Sequence, residues 1–324
     1  MKEQSKIKIS VPDYPQNFPE SAAGGNAEGS FLGYGGRRLY LVHYGAAAAA
    51  RAVLVVAHGM SESGKRYAEF AADMSGRGVH VYVPDLRAHG RTAASRAEIG
   101  MPEDGGNLFG DSAGDITELI KQVRARHDGL PVYLLGHSYG SFVSQEVLRR
   151  GAPIDGLLLS GSAHFKSLKN AAGLPVAWAG SLIRGRRAPA KLIDKLSFKA
   201  YEKKFPDGNW LSRDGSVRER YRADDDNTHM FSMGFYSDFF RGALALYSRA
   251  GAARIDKDVR IFIFSGDSDP VGGEGRQVYR LARFYERAGV RDVRVKLYAG
   301  GRHEMLNESN RHEVYSDVAG FILN

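Results

Sequence analysis

The stretch Val132-Tyr133-Leu134-Leu135-Gly136-His137-Ser138-Tyr139-Gly140 decides the fold. A short apolar strand runs straight into Gly-x-Ser-x-Gly, and a helical pattern follows at once. This is the pattern of a nucleophile elbow, a sharp strand-to-helix turn that holds a serine hydroxyl above a sheet. Gly136 and Gly140 suit it because the flanking backbones pass too closely to leave room for a side chain. With 39 glycines in 324 residues the bare spacing is weak, so the context carries the reading. Gly110-Asp111-Ser112-Ala113-Gly114 is the internal control. Turn-rich Asp104-Gly105-Gly106-Asn107 precedes it, and Ile116, Leu119, Ile120 and Val123 mark one face of a helix after it. Ser112 therefore reads as part of a helix start, with Asp111 or Ser112 as the cap.

The chain is long enough to bury a substantial core as one large domain or a domain with an insertion. Hydrophobic residues at 43% and charged residues at 25% describe a soluble globular protein. The best apolar run, Ala46 to Ala57, is broken by Arg51 and falls short of a membrane span. No apolar segment follows the charged N-terminus, so no signal peptide is read and a cytoplasmic location is expected. The absence of cysteine excludes disulfides, thiolate catalysis and cysteine-type zinc sites. The net charge of +8 gathers between Arg184 and Lys204, where eight Lys or Arg face only Asp194 and Glu202. A solvated helical face is the plain reading; transient contact with an anionic lipid surface is the sharper one. Nucleic acid is not expected, since no recognised binding motif accompanies the charge.

Apolar runs alternate with helical patterns after an irregular N-terminal arm at residues 1–29. Strands are expected at 38–43, 52–57, 80–83, 132–135, 156–159, 259–264 and 293–297. Helices are expected at 65–77, 111–127, 140–150, 273–288 and 309–322. Continuous Val/Ile/Leu runs are what a parallel sheet with both faces covered requires. The fold class expected is α/β, an open and mostly parallel sheet flanked by helices, with its sites beyond the carboxyl ends of the strands. The core takes residues 30–163 and 251–324. The rhythm lapses at 164–250, an aromatic-rich stretch holding Trp178 and Trp210, which reads as a helical cap insertion.

A serine hydroxyl needs an adjacent base, and imidazole suits that task because its pKa lies near neutrality. A carboxylate on the other ring nitrogen then holds the tautomer and stabilises the imidazolium. Among ten histidines, His303 follows the last strand and the flexible Ala299-Gly300-Gly301, where a base could reach Ser138. His58, His89 and His137 more plainly shape loops, and His312 falls on the polar face of a helix. Asp267 and Asp269 both follow the strand Ile261 to Phe264 and both are available as the acid. The order Ser, Asp, His fits the α/β architecture. The developing oxyanion needs donors, for which the backbone N–H groups of Tyr139 and Met60 are the candidates.

The chain resembles the α/β-hydrolase superfamily, and within it the monoacylglycerol lipase and lysophospholipase-like group, often labelled serine aminopeptidase-like hydrolases. The resemblance runs from about residue 30 to the C-terminus. It rests on His58-Gly59-Met60-Ser61-Glu62 with Arg66-Tyr67, on Asp85-Leu86-Arg87-Ala88-His89-Gly90-Arg91-Thr92, and on Gly136 to Gly140. It continues through Gly266-Asp267-Ser268-Asp269 and Gly300-Gly301-Arg302-His303-Glu304. The family's Gly-x-x-Asp spacing implies Asp269 as the acid of a Ser138–Asp269–His303 triad. Ala88 and Thr92 depart from the Gly and Ser of many relatives, in a loop outside the triad. The insertion, with Trp210-Leu211-Ser212-Arg213-Asp214, is similar to the cap of bacterial relatives.

The resemblance implies a serine hydrolase of carboxylic esters, its substrate a small-molecule ester or lipid such as a monoacylglycerol or lysophospholipid, with no metal or organic cofactor. The alternative is an acyltransferase or a non-hydrolytic binding member of the same fold, since fold and triad do not fix the acceptor. A phosphate-binding loop is nearly spelled by Gly59-Met60-Ser61-Glu62-Ser63-Gly64-Lys65-Arg66. Arg66 stands where that loop needs a hydroxyl for Mg²⁺.

Overall fold

The computed structural model describes residues 14–103, 105–166, 168–227 and 230–324, without the side chains of 168–172. The first thirteen residues of the expected N-terminal arm, and Asp104 of the turn before Asn107, lie outside the described residues. Strands β1 (Asn26–Leu32), β2 (Arg38–Tyr44), β3 (Ala52–Ala57) and β4 (Val79–Pro84) form the first half of the sheet. Strands β5 (Val132–His137), β6 (Gly156–Ser160), β7 (Arg260–Gly266) and β8 (Asp292–Tyr298) complete it. The spatial order is β1-β2-β4-β3-β5-β6-β7-β8. The pairs β1–β2 and β2–β4 are antiparallel, and every pair from β4 through β8 is parallel.

Helices α1 (Ala68–Gly76), α2 (Leu108–Arg126) and α3 (Tyr139–Arg149) occupy the first half of the chain. Six more lie between β6 and β7: α4 (Leu168–Arg184), α5 (Lys191–Leu196), α6 (Phe198–Glu202), α7 (Gly215–Ala223), α8 (Met233–Ala245) and α9 (Arg249–Ala253). Helices α10 (Arg276–Arg287) and α11 (Arg311–Leu323) close the chain. The strand interiors β3 and β5 are buried throughout, as the unbroken apolar runs require. One core packs α2, α3 and α10 on one face of the sheet, with Phe235 and Phe239 of α8 joining it. The other core packs α1 and α11 on the opposite face, through Phe70, Met74, Val314 and Phe321.

Two local expectations are corrected. Residues 26–29 belong to β1 rather than to an irregular arm, and they pair in register with β2 from Asn26 opposite Tyr44 to Leu32 opposite Arg38. The second helix begins at Leu108, not at residue 111. Asn107 caps it by accepting from the Gly110 N–H at 3.3 Å, and Asp111 accepts in return from the Asn107 N–H at 3.2 Å. Ser112 thus lies one turn inside the helix, where its hydroxyl donates to the Leu108 carbonyl at 2.7 Å.

Candidate active site

Four loops meet beyond the carboxyl ends of β3, β5, β7 and β8. Ser138 sits on the turn from β5 into α3 with φ 49° and ψ −118°, a region that non-glycine residues rarely occupy. Such a conformation costs on the order of 1–3 kcal/mol and persists only where the surroundings impose it. They do so through its glycine neighbours. A Cβ at Gly140 would collide with the carbonyl oxygens of Ala57 and His58, and one at Gly136 would meet the Ser141 Cα at 2.7 Å. The bare backbone lets α3 press against the end of β3. The Ser138 N–H donates to the Ser160 carbonyl at 3.0 Å, tying the turn to β6.

His303 follows β8. Its Nδ1 lies 3.0 Å from both carboxylate oxygens of Asp269. Asp269 is fully buried and also accepts from the Ser265 hydroxyl and the Val271 N–H, each at 2.8 Å. Burial pushes the Asp269 carboxyl up, but the His303 charge and these hydrogen bonds outweigh it and hold it below its ordinary value. Burial likewise works against the charged form of His303, and Asp269 reverses that, raising the imidazole above its ordinary 6.5. Asp267 does something else. It is exposed and accepts from the Gly300 N–H at 2.9 Å, which braces the loop carrying His303.

The His303 Nε2 is buried and has no hydrogen-bond partner among the described residues. Its ring packs against His137 at 4.8 Å and Trp210 at 4.9 Å between centroids. His137 has no carboxylate of its own, and burial followed by the His303 charge lowers it to about 3. Of two imidazoles in contact, only His303 is prepared to carry a proton. The remaining histidines named from the sequence serve loops. His58 accepts from the Leu86 N–H at 2.9 Å, the His89 Nδ1 bonds the Arg87 carbonyl at 2.7 Å, and His312 is exposed on α11.

Ser138, His303, Met60 and Tyr139 line one cavity of about 900 Å³. Gly59, Glu62 and Glu304 complete its floor. Phe165, Ile193, Leu196, Phe198, Phe239 and Phe240 give it apolar walls, all but the last two contributed outside any strand or sheet-packed helix. One group of side chains could hold a metal among the described residues, His43, His80 and His127, with ring nitrogens within 4.8 Å of one another. It does not line this cavity. The Ser21 and Ala46 N–H groups already donate into the His43 and His80 Nδ1 atoms, at 3.1 and 3.3 Å, so the cluster is satisfied by hydrogen bonds.

Residues 48–310 match the family described as "Serine aminopeptidase, S33". The chain belongs to that family. It is 29% identical over 310 residues to the monoacylglycerol lipase of Mycolicibacterium smegmatis, covering 92% of this chain and 97% of that one. It is also 27% identical over 145 residues to human monoglyceride lipase, covering 44% and 42%. Among solved structures, a thermostable carboxyl esterase from Bacillus coagulans in complex with glycerol superposes with a TM-score of 0.81 at 26% identity, covering 92% of this chain and 97% of that one. The protein is an α/β-hydrolase of the monoacylglycerol-lipase-like group and a carboxylic ester hydrolase. No described helix is long and apolar enough to cross a membrane.

The sequence missed one feature of this site. Glu62, Arg66 and Glu304 form a buried ionic chain behind the cavity floor, with Arg66 within 2.5 Å of Glu304 and 3.4 Å of Glu62. The signal was present in Glu62 and Arg66 spaced four apart beside an apolar strand, but nothing local announces the third member.

Proposed function

We propose that the protein cleaves esters through an acyl-enzyme on Ser138, with His303 as base and then acid, and Asp269 orienting the imidazole. The observation that carries this reading is the buried, unpartnered His303 Nε2 on an imidazole that lines the same cavity as Ser138, while Asp269 occupies the other ring nitrogen. Ser138 attacks the acyl carbon as His303 takes its proton. The oxyanion is received by the N–H groups of Tyr139, first in α3, and Met60. The imidazolium protonates the departing alcohol, and water, deprotonated by the same imidazole, releases the acid.

The substrates are lipid-derived monoesters such as monoacylglycerols or lysophospholipids. The apolar walls of the cavity support an acyl chain, and the M. smegmatis relative supports the monoacylglycerol member of the class. The segment 164–250 acts as a cap over the site. Leu182 and Ile183 stand at the end of α4 with Ile183 83% exposed, followed directly by the exposed Arg184, which supports transient contact with an anionic lipid surface.

The test is fluorophosphonate labelling with mass-spectrometric mapping, followed by a panel of esters of rising acyl length. An adduct on Ser138 and a preference for medium or long chains are expected. Labelling elsewhere, or a clear preference for acetyl esters, would overturn the mechanism or the substrate class respectively. Product analysis with added alcohols separates hydrolysis from acyl transfer.

A further inference from the structure

Glu62 and Arg66 follow β3, and Glu304 follows β8, so the ionic chain joins loops 238 residues apart at the Arg66–Glu304 contact. All three side chains are buried, none more than 10% exposed. Glu62 Oε1 accepts from the Gly59 N–H and from the Tyr67 hydroxyl, the latter at 2.7 Å. Arg66 faces the other Glu62 oxygen and donates to Glu304, whose same oxygen accepts from Asn307 at 3.1 Å. The Tyr221 ring of α7 lies 4.8 Å from the guanidinium.

Stability is a poor reason for such a chain. Taking each ion out of water costs several kcal/mol, and apolar residues of the same volume commonly hold a core as well or better. The two ends of the chain suggest its use. One end grips Gly59, immediately before Met60. The other is the residue after His303. We propose that Glu62, Arg66 and Glu304 form a positioning chain, with Arg66 as the residue that keeps the oxyanion loop and the base loop in register. This rests on the roles given above to Ser138, Met60 and His303.

The geometry has two consequences. The Arg66 guanidinium donates to Glu304 from Nη2 and holds Glu62 from Nη1 as an ion pair at 3.4 Å without a hydrogen bond, whereas an ammonium is a compact point charge on a flexible stem. Arg66→Lys therefore keeps the charge and loosens the register. The chain also contributes to the field at His303. The groups acting on that imidazole are Asp269 after β7, Glu304 beside it, Glu62 after β3 and His137 at the end of β5, with Arg66 paired to both glutamates; Tyr201 of α6 lies within reach of the Asp269 charge. Burial raises the Glu304 carboxyl above its ordinary value and Arg66 opposes that shift; in its ionised form Glu304 favours the protonated imidazole, a charge that Glu304→Gln removes while keeping an acceptor for Arg66. The His303 pKa then falls, and the acid limb of kcat/KM moves to lower pH.

The experiment measures ester hydrolysis between pH 5 and 9, fluorophosphonate labelling rate and thermal melting for wild type, Arg66→Lys and Glu304→Gln. Arg66→Lys is expected to lose roughly ten- to a hundredfold in kcat with KM changed less than about twofold, as displacement of reacting groups by about 1 Å costs up to a hundredfold. Labelling of Ser138 slows in parallel. Glu304→Gln is expected to move the acid limb downward. Folded variants with wild-type kcat, labelling rate and acid limb overturn the proposal. If Arg66→Lys does not fold, an unmoved acid limb and unchanged kcat in Glu304→Gln overturn it alone. Absence of a Ser138 adduct in wild type overturns the underlying mechanism instead, a separate result.

Discussion

Two stretches of this chain spell Gly-x-Ser-x-Gly, and they fold into opposite things. At 136–140 the serine stands on a strand-to-helix turn with φ 49°, lining a cavity. At 110–114 the serine is buried inside α2 and spends its hydroxyl on the Leu108 carbonyl. The glycines differ as well. Those at 136 and 140 face backbone at the elbow itself, whereas an added Cβ at Gly114 meets the Tyr34 Cβ and Cγ at 2.7 Å and one at Gly110 meets the Asn107 side-chain amide, neither of which belongs to the nucleophile turn. Identical letters therefore acquire chemistry only from what precedes them: an apolar strand in one case, a capped turn in the other.

The comparison breaks first at the serines themselves. Ser138→Ala is expected to abolish ester hydrolysis, with a fall of at least about 10⁴-fold in kcat, because serine and base act as a unit. Melting temperature should change little, since the hydroxyl makes no contact on which the fold depends. A variant retaining a tenth of wild-type turnover would dissolve the distinction between the two stretches.

The next effect comes from the acid. Asp269→Asn is expected to lower kcat by roughly 10³–10⁴-fold, since an amide favours the wrong imidazole tautomer. Asp267→Asn should cost far less, because Asp267 braces the Gly300 N–H and does not touch His303. The pH profile carries the sign. The base works when neutral, and Asp269 holds the His303 pKa above 6.5, so wild-type kcat/KM falls as pH drops through an apparent pKa above that value. A limb at or below 6.5 in wild type would contradict the arrangement.

The reach of sequence reading follows the same division between local and distant causes. Strands β3 and β5 were legible because burial on both faces demands unbroken apolar runs. The first strand, Asn26-Ala27-Glu28-Gly29-Ser30-Phe31-Leu32, was not, because it lies at the sheet edge with its first three residues outside the buried interior. The start of α2 was misread because Asn107 competes with Asp111 and Ser112, any of which can cap a helix. Ser138 and His303 were legible as residues next to strand ends. The choice between Asp267 and Asp269 rests on the family resemblance alone, since both follow β7 and only the path of the loop turns one toward the imidazole. Arg66 enters the sequence reading as part of the family resemblance and as an obstacle to phosphate binding, without a structural role. Its partner Glu304 is 238 residues away, and no local pattern encodes that contact.

The glycines sharpen the comparison at a smaller scale. Gly140→Ala forces a Cβ into two carbonyl oxygens of the β3 end, so α3 must shift and drag Ser138 with it. A loss of about 1–3 kcal/mol of stability is expected from overpacking, read by chemical denaturation, together with reduced fluorophosphonate labelling. Gly114→Ala places its Cβ 2.7 Å from the Tyr34 Cβ and Cγ, and the Tyr34 backbone is held by Asp115 and Arg87, so crowding offsets the gain of up to about 1 kcal/mol in helix propensity. The two variants should therefore separate in labelling, which only Gly140→Ala lowers. Equal losses of labelling would mean that the elbow is no more tightly coupled to Ser138 than the helix.

The smallest effect belongs to Ser112. Its hydroxyl bonds the carbonyl one turn back, a contact that slightly disfavours a helix, and lies beside the buried Tyr139 hydroxyl, so removing it exchanges modest polar contacts for better propensity. The freed Leu108 carbonyl still accepts within the α2 ladder and is not left as an isolated buried acceptor. Ser112→Ala should shift stability by less than about 1 kcal/mol, and leave the labelling rate and pH profile of Ser138 unchanged. A substantial loss of labelling in this variant would show that α2 acts on the elbow through Ser112 beside the Tyr139 hydroxyl, and that the two stretches are one feature.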